Sequence, residues 1–192
     1  MLLIFNLAVA CVLNAAEPFA ESHFHKGLFE SSLGSGIFFS PFIAGLDRPT
    51  LDYTLTEVQL GYMLTDVRGS DLLRGNFEAV ADAFGGGIFK GRGNYVSGAT
   101  LWLRYNLVPR NSRFVPFVQG GAGLVETDLD RRIEGGNFNF NEGLGFGVRF
   151  FLTPNWSLNA EYRYQHISNA GLSRGNAGVN AEGLMLSVSH FF

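Results

Sequence analysis

The sequence predicts an all-β protein, an eight-stranded antiparallel transmembrane β-barrel, and three observations carry that expectation. Apolar residues recur at every second position, the period of a strand with two unlike faces. Eight such stretches follow one another, and single-chain bacterial outer-membrane barrels have an even number of strands. In each stretch read in detail the apolar face is the longer and cleaner one, whereas a soluble ligand-binding barrel would turn that face inward and keep a polar exterior.

The chain has 192 residues, a formal net charge of −3, 25 glycines and 19 phenylalanines. That length fits one domain, and the small charge gives no footprint for nucleic acid. Residues 1–16 read as a secretory signal, with an apolar run from Leu2 to Leu13 too short to span a membrane and small residues at Ala15 and Ala16. Residues 17–192 form the barrel domain. The single cysteine, Cys11, falls inside the signal, so the mature chain has no disulfide and no cysteine-based metal site.

Strands are expected near 27–39, 51–64, 74–84, 95–108, 113–125, 140–152, 156–168 and 181–192. The fourth carries Tyr95, Ala99, Leu101, Leu103, Tyr105 and Leu107 against Gly98, Thr100, Trp102, Arg104 and Asn106. The sixth sets Leu144, Phe146, Val148, Phe150 and Leu152 against Gly143, Gly145, Gly147 and Arg149. The minority faces hold Glu30, Glu57, Glu78, Asp82, Arg104, Arg149, Glu161 and Arg163, charges that can pair inside a narrow barrel filled by side chains.

Short links are expected at 66–71, 109–112 and 153–155 and longer ones at 40–49, 85–94, 126–139 and 169–180. Outer-membrane barrels keep short turns on the periplasmic side. With the N-terminus periplasmic, the seventh strand then ends at the outer leaflet. His23 and His25 are expected in a mobile periplasmic tail, and His190 at the membrane edge opposite His166. Arg92, Arg131, Arg132 and Arg174, in the outer loops, are candidate contacts for lipid phosphates.

The seventh strand carries the chemistry. Its outward face reads Leu158, Ala160, Tyr162, Tyr164, His166, Ser168, so a potential base and a potential nucleophile end an apolar stripe. Their Cα atoms are expected roughly 6.6–7 Å apart, two strand rises, a span that an imidazole and a hydroxyl can bridge. A serine needs a base, and the base needs a third group to hold its tautomer. The eighth strand brings Asn180 and Glu182 to the same wall. Either can orient His166, and Glu182 is the better electrostatic partner because it also supplies charge.

The motif His166-Ile167-Ser168-Asn169-Ala170-Gly171, followed by Asn176-Ala177-Gly178-Val179-Asn180, resembles the C-terminal signature of the PagL-type lipid A 3-O-deacylases, in the acyloxyacyl hydrolase-like family. The resemblance implies an outer-membrane hydrolase acting on lipopolysaccharide, with no metal and no organic cofactor. It removes the ester-linked 3-hydroxyacyl chain at position 3 of lipid A. Carried over by motif, His166 is the general base, Ser168 the nucleophile and Asn176 the oxyanion donor, a role worth on the order of 3 kcal/mol. Asn169 and Gly178 belong to the same oxyanion and substrate-binding segment. The family glutamate falls on Asn180 by ungapped spacing, and Glu182 lies two residues further on. The acyl chain is expected beside Tyr162, Tyr164 and Leu184. The alternative is a non-catalytic eight-stranded outer-membrane barrel with a structural or adhesion role.

Overall fold

The computed structural model describes residues 23–40, 49–131 and 135–192. Residues 1–16 with Cys11, and Arg132, lie outside the described residues. Eight antiparallel strands close into a barrel in simple sequence order: β1 (Phe29–Phe39), β2 (Asp52–Met63), β3 (Gly75–Lys90), β4 (Tyr95–Leu107), β5 (Phe114–Thr127), β6 (Phe138–Thr153), β7 (Trp156–Ser168) and β8 (Val179–Phe191). β1 pairs with β8 from Glu30↔Phe191 to Phe39↔Glu182, which leaves the sheet no free edge.

The faces sort as the alternation expects. Leu101, Leu144 and Leu186 stand outward, 71%, 66% and 68% exposed, while Arg149 and Arg163 are fully buried inside. This is the opposite of a soluble ligand-binding barrel, whose apolar faces would point inward. A polar interior and an apolar wall are stable together only where hydrocarbon replaces water outside. Aromatic pairs ring the end where β1 begins and β8 finishes: Phe29 with Tyr62 and Phe192, Phe114 with Phe150, and Trp156 with His190.

The interior is filled in three layers. At the end where β7 stops, Phe38, Leu51, Tyr53, Leu55, Ile167, Val179 and Met185 form an apolar plug. At the opposite end Phe24, Met63, Val108, Val115, Phe151 and Phe191 form another. Between them lies an ionic belt. Arg149 reaches Glu30 at 2.6 Å and Glu78 at 2.9 Å, Arg104 lies 3.6 Å from both acids, and Arg163 is gripped by Glu57 and Glu161. These contacts satisfy charges that would otherwise be prohibitive in a dry interior. Among the described residues, side chains thus occupy both ends of the interior and the belt between them.

Three expectations about connections change. β3 continues to Lys90, so the link to β4 is only residues 91–94. Gly85, Gly86 and Gly87 look like loop glycines in the sequence, yet they pair with Ser97, Val96 and Tyr95. A Cβ on Gly86 would lie 1.6 Å from the Thr54 carbonyl oxygen, so close strand approach rather than flexibility requires the glycine. The link between β2 and β3 is longer than expected, spanning residues 64–74 with a 3₁₀ turn at Asp71–Leu73 and an Arg68↔Gly75 bridge.

The segment around His23 and His25 is not a loose tail. Phe24 is fully buried, edge-on to Phe151 and Phe191, and its carbonyl accepts from Asn76 Nδ2. Gly27 N donates to Met63 O at 3.0 Å. An apolar ring next to the exposed His25 closes the barrel floor, which isolated polar residues in the sequence do not reveal. Phe24→Ala should lower stability by about 3–5 kcal/mol through lost burial and the remaining cavity. Urea titration of the refolded barrel reads this directly, and an unchanged midpoint would contradict a structural floor.

Candidate active site

Site geometry begins with the interior plug. Ile167 and Val179, paired across β7 and β8 and both buried, pin those strand ends to the core. Strand alternation then turns their neighbours His166 and Asn180 outward as a direct cross-strand pair. His166 Nδ1 lies 2.6 Å from Asn180 Oδ1. An amide oxygen can only accept, so this contact needs the proton on Nδ1, and in the neutral ring that leaves the lone pair on Nε2, at the opposite edge.

Ser168 follows on the same outward face, half-buried like His166, and is paired with Phe140 of β6. Asn180 is buried although it belongs to the outer wall, because its neighbours cover it. His166, Ser168 and Asn180 thus share one patch at one end of the wall.

Glu182 goes elsewhere. It is the register partner of Tyr164 and accepts a hydrogen bond from the Tyr162 hydroxyl. Of the two candidates for orienting the imidazole, Asn180 is the one within hydrogen-bond distance of the ring. The reason is register. Asn180 stands directly across from His166, while Glu182 is a further two residues along β8.

The loop after β7 is built around Asn169. Its side chain accepts from Gly171 N at 2.9 Å and donates to Gly175 O at 2.8 Å and Ser173 Oγ at 3.0 Å. Asn169 N donates to Asn176 Oδ1 at 3.1 Å. Because a backbone N–H can only donate, this contact fixes the carbonyl pole of Asn176 and turns its Nδ2 away, free to serve as a donor. Ala170, Gly171, Gly175 and Gly178 all take positive φ, at 53°, 78°, 83° and 68°. Left-handed residues make this a tight, defined fold, and an alanine there is held against its preference at a cost of about 1–2 kcal/mol. Asn169 and Gly178 therefore shape the loop, while Asn176 is exposed at its rim.

The outer wall beside His166 is recessed. Ala122 supplies little bulk on the outward face, and with the backbone of Gly121 and Gly143 and with Glu142, Leu144, Tyr164 and His166 it lines a furrow of about 360 Å³. It continues past Leu144 and Tyr164 into a second apolar hollow of about 440 Å³ walled by Phe77, Tyr105, Phe146 and Tyr162. Sequence reasoning left out the β5–β6 side, since glycine runs carry no chemical signature.

Among the loop arginines, Arg92 is paired with Asp130 at 3.0 Å. Arg131 and Arg174 are exposed. Nearby, Asp128 accepts from Asn94 N at 2.6 Å, Asn94 Nδ2 at 2.7 Å and Tyr95 N at 3.1 Å, which holds its carboxyl below the usual range. Those bonds tie the β3–β4 turn to the β5–β6 loop. Among the described residues, no group of three or more His, Cys, Asp or Glu side chains is arranged to hold a metal ion.

Comparison with known proteins fits this geometry. No curated protein sequence matches the chain. Among solved structures, the outer membrane enzyme PagL superposes with a TM-score of 0.58 at 18% identity, covering 82% of this chain and 97% of that one. Neisserial surface protein A gives 0.62 at 19% identity, covering 86% and 99%, and the N-terminal β-barrel domain of Pseudomonas aeruginosa OprF gives 0.55 at 15%, covering 87% and 98%. At these identities the superpositions establish the fold, which enzymes and other surface proteins share. The family pattern is more specific: that of the lipid A 3-O-deacylases (PagL) matches residues 58–189, a span that includes His166, Ser168, Asn176 and Asn180. The chain therefore belongs to the lipid A 3-O-deacylase (PagL) family.

Proposed function

We propose that the protein is an outer-membrane serine esterase that removes the 3-hydroxyacyl chain ester-linked at position 3 of lipid A. The observation that carries this reading is the His166–Asn180 contact, with Ser168 two residues along the same lipid-facing face, inside the segment matched by the family. Packing of the barrel interior adds support, because a lipid substrate reaches an external site by lateral diffusion without entering the barrel.

In the reaction, Nε2 of His166 takes the Ser168 proton as Oγ attacks the ester carbonyl carbon. Nδ2 of Asn176 donates to the oxyanion, whose charge is the largest that develops along the path. The intermediate collapses as His166 returns its proton to the departing sugar oxygen. Water, activated by the same imidazole, then cleaves the acyl-serine and releases a 3-hydroxy fatty acid. Asn180 holds the ring and its tautomer throughout. Gly178 and Asn169 keep the loop in the shape that presents Asn176. The acyl chain lies in the furrow from Gly121 and Gly143 toward Phe146 and Tyr162, with lipid A and the outer leaflet as partner and setting. No metal or organic cofactor takes part.

Mass spectrometry of lipid A after incubation with the refolded protein in detergent tests this reading. Loss of one 3-hydroxyacyl mass is expected. Intact lipid A beside a folded barrel would reject the esterase and leave the structural or adhesion role. The amide at position 180 gives a second test. Asn180→Leu removes the acceptor for Nδ1–H and should lower kcat about 100-fold, while Asn180→Glu supplies charge as well as orientation and should raise it about tenfold. Equal rates for all three proteins would show that position 180 has no part in the step.

A further inference from the structure

The register of β6 against β7 brings a second residue to His166. Glu142 is its direct cross-strand partner, so the imidazole sits between Asn180 on β8 and a carboxylate on β6. Directly opposed side chains in an antiparallel pair have Cβ atoms about 4.5–5.5 Å apart. Both residues line the same furrow. Glu142 is exposed and is the single charged residue in an outward stripe that otherwise reads Phe138, Phe140, Leu144, Phe146, Val148. On its other flank it faces Ala122 of β5. A carboxylate on a lipid-facing wall is unfavourable in proportion to its depth, and one near the strand end is tolerated best when a cation forms beside it.

We propose that Glu142 is the positioning residue that stabilises the positive charge developing on His166, the electrostatic part that the neutral Asn180 does not supply. It rests on the esterase reading above. Division of labour follows from the two edges of the ring. Nδ1–H is engaged by the Asn180 oxygen, so orientation comes from β8. When Nε2 takes the Ser168 proton the ring becomes an imidazolium, and the carboxylate across the strand pair attracts it in a boundary region where water screens weakly. The other groups facing His166 do not compete for this role. Tyr164 and Ser168 are neutral neighbours on its own strand, Glu182 accepts from Tyr162, and the following loop contributes Arg174, a cation.

Steady-state kinetics of full-length refolded protein on lipid A in detergent test the assignment. Glu142→Gln should lower kcat about tenfold with KM within about twofold, the pattern of an interaction made only in the transition state. Glu142→Asp should recover most of the loss. In an Asn180→Glu background, where the ring already has a carboxylate, Glu142→Gln should cost less than about twofold, the non-additivity of two groups serving one charge. The side chain is exposed, and the unheated migration of the barrel on a gel verifies that each variant is folded. A kcat unchanged by Glu142→Gln, a change confined to KM, or an equal loss in both backgrounds would overturn the proposal while leaving the esterase intact. Failure of the wild-type protein to release any acyl chain would overturn both.

Discussion

Ser168→Ala should abolish release of the 3-hydroxyacyl chain from lipid A, by on the order of 10³-fold or more, while the barrel remains folded. In the proposed reaction this hydroxyl forms the acyl-enzyme, and its removal leaves the donor at Asn176 and the furrow to act on water alone. His166→Ala should fall to the same floor. The double variant should be no slower than either single one, because base and nucleophile act as a unit and their losses do not add. Time-resolved mass spectrometry of lipid A measures all three. Release by Ser168→Ala within tenfold of the parent would exclude this serine as the nucleophile, and losses that multiply in the double variant would exclude a shared step. Stability should not move, since both side chains are half-buried on the outer wall and contribute nothing to either interior plug.

The second large effect is structural and comes from the opposite face of the same strand. Arg163→Met should destabilise the barrel by about 3–5 kcal/mol, because it strands buried carboxylates without their cation. Arg163 donates to Glu57 at 2.6 and 3.1 Å and to Glu161 at 2.9 Å through both Nε and Nη2, lies 3.8 Å from Asp82, and stacks over Trp102 at 4.9 Å. The belt holds five acids, Glu30, Glu57, Glu78, Asp82 and Glu161, against three arginines, Arg104, Arg149 and Arg163, so acids already exceed bases. Losing one arginine deepens that excess in a place water does not reach. Arg163→Lys keeps the charge but loses the planar fork, and should lie between the two. Urea midpoints in detergent give the order. A methionine variant as stable as the parent would mean that the belt adjusts its own ionisation and that the arginine is dispensable. Whatever fraction of Arg163→Met folds should retain acyl release, since the substitution faces inward and the chemistry outward.

The two experiments separate what a single strand encodes. In β7 odd positions hold the barrel together and even positions face outward, and this much is legible in the sequence. Period two fixes which residues share a face, so Leu158, Tyr162, Tyr164, His166 and Ser168 could be assigned to the lipid side and Glu161 and Arg163 to the interior. The eight-strand count was legible for the same reason, as was the outward placement of Asn180 and Glu182. The extent of β3 was not, because the glycine at position 86 is required by the close approach of Thr54, a residue of another strand. Nor was the buried floor at Phe24, whose partners Phe151 and Phe191 lie more than a hundred residues away.

For the site itself, the sequence by itself determined the list of candidates and the wall on which they stand. Only the tertiary structure decided who meets whom. Alternation is a property of one strand, whereas pairing register is set jointly by two strands, the closure of the barrel and the loops between them. Register put Asn180 rather than Glu182 across from His166, gave Glu182 to Tyr162, and brought Glu142 to the other side of the imidazole. No pattern within β6, β7 or β8 alone encodes those three meetings.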